Sequence, residues 1–194
     1  MSTHILQIDS SVFGDQGQSS QLAAKLAEKL ALKARQQQSE TTLTHRDIAA
    51  EQLPHFTLDT IEAIAAGQAT LADALIAEVQ AADVLVISAP MYNFGIPSTL
   101  KAWLDHITRV QVTFKYTPTG PVGLLAGKKV YVITTRGGLH KNTPNDAVVP
   151  YLKIILGFVG LNDVEFIYAE GLAMTDHKEQ SLHKAKADIA SFAA

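Results

Sequence analysis

An α/β fold, a parallel sheet of five strands with helices on both faces, is the class the sequence predicts. Three observations lead to it. Short β-type runs alternate with longer helical stripes along the whole chain. One run, residues 83–89 (DVLVISA), is near-continuously apolar at strand length, as in a strand covered on both faces. The 194 residues hold no internal repeat and no Ser/Gly/Pro-rich linker, so the alternation belongs to one unit. At roughly 150 residues per domain, a single domain over residues 1–194 is expected. Five strands then imply a three-layer sandwich with the doubly wound order 2-1-3-4-5.

Each element has its own signal. Residues 4–9 (HILQID) form the first strand. Leu22, Ala23, Leu26, Ala27 and Leu30 fall on one helical stripe, with Ser19 or Ser20 placed to cap it. Thr41, Leu43 and His45 alternate as a second strand. Residues 58–82 read as helix interrupted at Gly67, and Thr70 with Asp73 has the form of a capping box that restarts it over Leu71, Leu75 and Val79. The third strand ends at Pro90, and residues 90–96 are a loop. Pro97 suits the first turn of a helix whose stripe is Leu100, Trp103, Leu104, Ile107 and Val110. Residues 111–128 lack a helical period and carry a turn signal at 117–121. A fourth strand, residues 129–135, is stopped by Arg136-Gly137-Gly138. Helix over 145–158, strand over 164–168 and helix over 177–192 complete the pattern.

Composition narrows the function. Apolar residues make up 47% and charged residues 18%, which excludes wholesale disorder. A formal net charge of -3 offers no basic surface for nucleic acid. Cysteine is absent, which removes disulfides, thiolate metal sites, iron–sulfur clusters and cysteine nucleophiles together. No apolar run approaches the roughly 18 residues of a membrane helix. The first residues have no signal-peptide character, so a cytoplasmic protein without a membrane partner is expected.

In an open parallel sheet, ligands bind beyond the carboxyl ends of the strands. Three loops meet there. The first, residues 9–20, is rich in hydroxyls and glycine and opens a helix. Amides, hydroxyls and the helix dipole can together hold an anion, although the loop is equally a polar helix cap. The second, residues 90–95, sets Tyr92, Asn93 and Phe94 after a buried strand, either as a stacking platform or as anchors on the core. The third, residues 135–140, has two adjacent glycines that let a backbone approach a ligand closely. Their conjunction on one edge is the signal. Of the seven histidines only His140 falls in such a loop, and it is the one candidate general acid or base.

Other motifs fail. No G-x-G-x-x-G follows the first strand, and neither H-E-x-x-H nor G-x-S-x-G occurs. Residues 123–129 (GLLAGKK) resemble a P-loop, but have three residues between the glycines, lysine where Ser/Thr is needed, and a strand after rather than before them.

Residues 89–94 (APMYNF), 112–117 (VTFKYT) with Gly120-Pro121, and 135–140 (TRGGLH) resemble the FMN-dependent NADH:quinone oxidoreductases known as azoreductases. Tyr151-Leu152, residues 157–160 (GFVG) and residues 169–171 (AEG) fit as well, so the resemblance covers nearly the whole chain. It implies a flavodoxin-like fold, one FMN per subunit and a homodimer with the pocket at its interface. It also implies an electron donor, NADH or NADPH, and quinones and azo compounds as substrates. Carried over residue by residue, it assigns Ser11, Gly17, Gln18 and Ser19 to the FMN phosphate, with Ser10 the near alternative to Ser11. It assigns Met91, Tyr92, Asn93 and Phe94 to the isoalloxazine and ribityl regions, and Thr135, Arg136, Gly137 and Gly138 to the flavin ring. Tyr116 and Phe158 match aromatic positions that line the substrate side of the pocket across the dimer.

Two departures stand out. The usual Ser-Gln-Ser is Gly17-Gln18-Ser19 here, which removes one hydroxyl donor and is expected to weaken FMN binding. The segment between the second and third strands is shorter than in some members, which bears on substrate size. The implied chemistry is two-electron, ping-pong hydride transfer, with amides near residues 93–95 favouring the negative charge of reduced flavin. Two rivals remain. A flavodoxin-like FMN electron carrier would be strongly acidic and lack the loop at 111–128, and this chain departs on both counts. A hydrolase using Ser10 or Ser11 with His140 lacks a nucleophile elbow.

Overall fold

Strands β1 (Ser2–Asp9), β2 (Glu40–Asp47) and β3 (Val84–Ser88) pair in parallel in the computed structural model, which describes residues 2–192. Next come β4 (Phe114–Thr117) and β5 (Gly120–Gly123), then β6 (Lys129–Thr135) and β7 (Asp163–Ala169). Five of these form one parallel sheet in the order β2-β1-β3-β6-β7. The β4 and β5 strands form a separate antiparallel hairpin across the turn signal at 117–121. With that hairpin set aside, the main sheet has the order 2-1-3-4-5.

Alternation along the strands divides the core in two. Leu6 and Ile8, Leu85 and Ile87, and Val130 and Val132 face one side, where α3 (Thr70–Ala81), α4 (Ser98–Ile107) and α5 (Val148–Phe158) pack. Ile5, Val86, Tyr131, Ile133 and Ile167 face the other, covered by α1 (Gln18–Gln36) and α6 (Thr175–Phe192). The stripe Leu22, Ala23, Leu26 and Ala27 is buried to within 3% of full burial, as its spacing predicts. Trp103 is fully buried at the centre of the α4 stripe. Helix α2 (Leu58–Ala65) buries no residue and is separated from α3 by Gly67 at φ +68°, where the sequence placed the interruption.

The caps differ from expectation. Gly17, not Ser19 or Ser20, is the N-cap of α1, and both serines lie inside its first turn. Thr70 is already helical, so the cap of α3 falls on Ala69 and Asp73 pairs with Arg109 instead of closing a box. The capping box is at Thr57 and Thr60 of α2, where each hydroxyl accepts from the other's amide. Pro97 is the cap of α4 rather than its first residue. Val110 lies past the end of α4 and is about half exposed. Buried Thr113 causes that stop: its hydroxyl donates to the Ile107 carbonyl at 2.7 Å and accepts from the Arg109 amide at 2.8 Å, turning the chain out of the helix.

At the end of β1 the sheet buries a carboxylate. Asp9 is 3% exposed; its Oδ2 accepts from Gln7 Nε2 and lies 2.8 Å from His45 Nε2, while Oδ1 makes no hydrogen bond of normal geometry among the described residues. Burial pushes the carboxyl above its ordinary value of 3.8, against the opposing bonds from His45 and Gln7. A raised folded-state value makes the contribution of Asp9 to stability greatest below 3.8 and lost as pH rises through the folded value. Asp9→Asn is therefore expected to stabilise the chain at pH 7, with the gain vanishing towards acid. Urea unfolding of both proteins across that range checks it, and a less stable Asn variant at pH 7 would refute it.

Candidate functional site

Beyond the carboxyl ends of β1, β3 and β6 the structure brings the three signal-bearing loops into one cleft. Ser11, Phe13, Gly17, Gln18 and Ser19 line it from the first loop, and Pro90, Met91 and Tyr92 from the second. Thr135, Arg136 and Gly137 line it from the third, and Leu172 from the segment after β7.

The first loop separates its two serines. Ser10 is fully buried, its amide donating to Ser88 Oγ and its hydroxyl to the Ser88 carbonyl at 2.6 Å, so its side chain is spent on β3. Ser11 is the one that turns into the cleft, where its Oγ accepts from the Phe13 amide and meets the Tyr92 hydroxyl at 3.2 Å. A 3-10 turn, Gly14–Gln16, then carries the chain into α1. Gly17 brings no capping side chain, and the first-turn amides of a helix have no partner within it. The buried Ser19 hydroxyl also lacks a partner in the chain. A donor set of this kind, at the positive end of a 19-residue helix, fits a phosphate monoester. A Cβ at Gly17 would stand 2.7 Å from that of Ser11, so the glycine and the Ser11 rotamer are matched. The missing hydroxyl is thus the counterpart of a closely packed Ser11.

The second loop is a strained turn. Tyr92 and Gly95 exchange both backbone hydrogen bonds at 2.9 Å, and the residues between them, Asn93 and Phe94, have φ of 49° and 65°. Positive φ suits asparagine but costs a bulky residue of the order of 1–3 kcal/mol. The turn leaves the Phe94 ring 56% exposed, edge-on to His140 with centroids 5.6 Å apart. The Gly95 amide is consumed within the turn, whereas Asn93 and Phe94 donate no backbone hydrogen bond among the described residues; neither residue is among those that line the cleft.

The third loop hangs on Arg136, whose side chain has no exposed surface. Its guanidinium turns away from the cleft, donating to Asp146 Oδ1 at 2.8 Å and Glu170 Oε1 at 3.4 Å. The backbone of Arg136, rather than its charge, therefore borders the cleft. Glu170 Oε1 also accepts the amides of His140 at 2.8 Å and Lys141 at 2.6 Å. The Met91 amide donates to the Thr135 carbonyl, locking the second loop to the third. The His140 ring lies against Gly138, where a Cβ would come within 2.8 Å of Nε2. That ring makes no side-chain hydrogen bond among the described residues.

Tyr116 and Phe158 do not join this cleft within one chain. They cluster around Phe114, with ring centroids 5.5 Å and 4.4 Å from it. The cluster is held where Gly123 packs against the backbone of Val159 and Gly160, closer than any side chain would allow. Tyr116 is 68% exposed at its edge. Sequence reasoning passed over Phe13, Pro90 and Leu172 as lining residues, and Asp146 and Glu170 as partners of Arg136. Leu172 was within reach, because it follows a strand at the same sheet edge; nothing local in the sequence announces the two carboxylates.

The comparisons agree with this geometry. Residues 3–193 match a family model described as a flavodoxin-like fold. A protein of Saccharophagus degradans named FMN-dependent NADH:quinone oxidoreductase is 53% identical over 191 residues, covering 96% of this chain and 91% of that one. One of the same name from Cellvibrio japonicus is 49% identical over 195 residues, covering 95% and 96%. Among solved structures, the azoreductase AzrA superposes with a TM-score of 0.88 at 25% identity, over 98% of this chain and 99% of that one. An azoreductase from Bacillus anthracis gives 0.86 at 26%, over 100% and 99%.

The strained turn makes a prediction. Phe94→Gly removes the positive-φ penalty and is expected to stabilise the ligand-free chain by about 1 kcal/mol, after the extra unfolded-state entropy of glycine. The same change is expected to weaken cofactor binding several-fold. Thermal melts and fluorescence titration check the two halves, and a Gly variant that melts lower would refute the strain.

Proposed function

The chain belongs to the FMN-dependent NADH:quinone oxidoreductases of flavodoxin-like fold, and we propose that the cleft described above is where its reaction takes place. It is an oxidoreductase that uses FMN, takes electrons from NADH and reduces quinones and azo compounds. The observation that carries the placement is the conjunction of an uncapped helix start, an exposed aromatic turn and a glycine loop on one edge.

When bound there, FMN supplies the hydride chemistry. Ser11, Gly17, Gln18 and Ser19 hold its phosphate with hydroxyls and amides, without a basic side chain among them. Met91, Tyr92, Asn93 and Phe94 would hold the ring and ribityl regions, and Thr135, Arg136, Gly137 and Gly138 would contact the ring. With FMN bound, the amides of Asn93 and Phe94 would be donors for its negative charge. NADH and the acceptor use the same open face in turn, so initial-rate plots are parallel; NADPH is the alternative donor.

A second copy of the chain completes the pocket in this proposal. Tyr116 is exposed, and so are Val122 on the same hairpin, Leu124 just after it and Ile154 on α5, an apolar face for that copy to cover. Tyr116 and Phe158 of each copy then cover the substrate side of the other's cleft. The chain acts as one domain over residues 1–194, supported by a single main sheet and a family match from end to end. No helix among the described residues is long and apolar enough to cross a membrane, in keeping with a cytoplasmic enzyme.

Anaerobic titration of FMN-loaded protein tests the reading. One equivalent of NADH is expected to bleach the flavin absorbance, and benzoquinone to restore it. Bound flavin that neither NADH nor NADPH reduces would point to an electron carrier, and intersecting initial-rate lines would exclude ping-pong turnover.

A further inference from the structure

We propose that Glu170 and Asp146, which do not line the cleft, are positioning residues that act through Arg136 on two different partners of the reaction. Glu170 shapes the loop that receives the cofactor, and Asp146 aligns the helix that presents Phe158 to the acceptor. The inference rests on the placement of FMN and acceptor proposed above.

The geometry separates the two roles. One oxygen, Glu170 Oε1, accepts from Arg136 Nη1 at 3.4 Å, the His140 amide at 2.8 Å and the Lys141 amide at 2.6 Å. It thereby ties the start of the 136–141 loop to its end. The Glu170 amide donates to Ser181 Oγ of α6, which fixes the carboxylate's own backbone. The loop also pairs with the segment after β7: Gly171, Leu172 and Ala173 donate to the carbonyls of Gly138, Arg136 and Gly137. Loop shape is thus set from the β7 side, where Glu170 is the carboxylate that anchors it.

Asp146 works on the other side. Its Oδ1 accepts from Arg136 Nη2 at 2.8 Å and from the Val149 amide in the first turn of α5 at 3.2 Å. The same helix ends at Phe158, packed on Phe114 and, through it, next to Tyr116. A rigid helix passes a change at its first turn on to its last. Both carboxylates are at most 14% exposed in their side chains, and the guanidinium between them is fully buried, so water cannot replace a lost partner cheaply.

Four proteins test this: wild type, Glu170→Ala, Glu170→Gln and Asp146→Asn. FMN affinity is read by fluorescence quenching, the bound ring by visible circular dichroism, and the acceptor by the KM for benzoquinone. Glu170→Ala is expected to raise the FMN Kd about tenfold and flatten the visible dichroism, with the quinone KM within about twofold. Glu170→Gln keeps the oxygen that accepts the two amides and is expected to recover most of that affinity. Asp146→Asn is expected to raise the quinone KM about fivefold and leave the FMN Kd within about twofold. Three results would overturn the proposal: wild-type FMN binding in Glu170→Ala, no recovery in Glu170→Gln, or Kd and KM moving together in step with melting temperature. Wild type that binds no FMN would instead bring down the functional reading beneath it.

Discussion

The guanidinium of Arg136 has no exposed surface and meets two carboxylates that lie 34 residues and 10 residues away in the chain. Three charges drawn out of water are costly to assemble and more costly to leave incomplete. The cluster therefore tolerates few arrangements of the elements that supply it. It pins the end of β6 to the segment after β7 and to the first turn of α5. The Met91 amide, bonded to the Thr135 carbonyl beside it, brings the turn after β3 under the same constraint. Much of what faces a ligand at this edge is placed by a group that itself faces the protein.

The other half of the cleft is built from weak neutral donors. The first loop offers hydroxyls and the first-turn amides of a helix that starts at a glycine, and its buried carboxylate, Asp9, lies at the sheet beside His45. Rigid loops supply what charge does not. Ser10 is riveted to Ser88, Ser11 is packed against Gly17, and the strained pair Asn93 and Phe94 is closed by two backbone bonds. Strain persists there because the surroundings over-determine it.

Most of the architecture was legible because periodicity reports burial. The runs at 4–9, 83–89 and 129–135 became adjacent strands, and the Leu22 to Ala27 stripe covered them. The three loops were found by the rule that ligands gather at the carboxyl edge of a parallel sheet. Caps were read less well. Ser19, Ser20 and Thr70 have the right side chains, but which residue ends a helix depends on where the preceding turn delivers the chain. Val110 fitted the α4 stripe until the buried hydroxyl of Thr113 drew the backbone aside. Arg136 shows the limit best. The family resemblance assigned it to the flavin ring, whereas its partners Asp146 and Glu170 are ordinary acidic residues in sequence, visible as its partners only when the chain is folded.

The contact between Gly123 and the backbone at Val159–Gly160 has a consequence for how this scaffold can diversify. Backbone meets backbone there, with no side chain whose exchange could lengthen or shorten the gap. The root of the β4–β5 hairpin is consequently fixed by sterics: a side chain at either glycine would have to push the hairpin away from the end of α5. The tip, residues 117–120, has no such backbone packing; it is held by its own turn bonds and by Gly120 at φ +121°. New acceptor preferences are therefore expected to arise by insertion or exchange at that tip, on an anchor that does not drift.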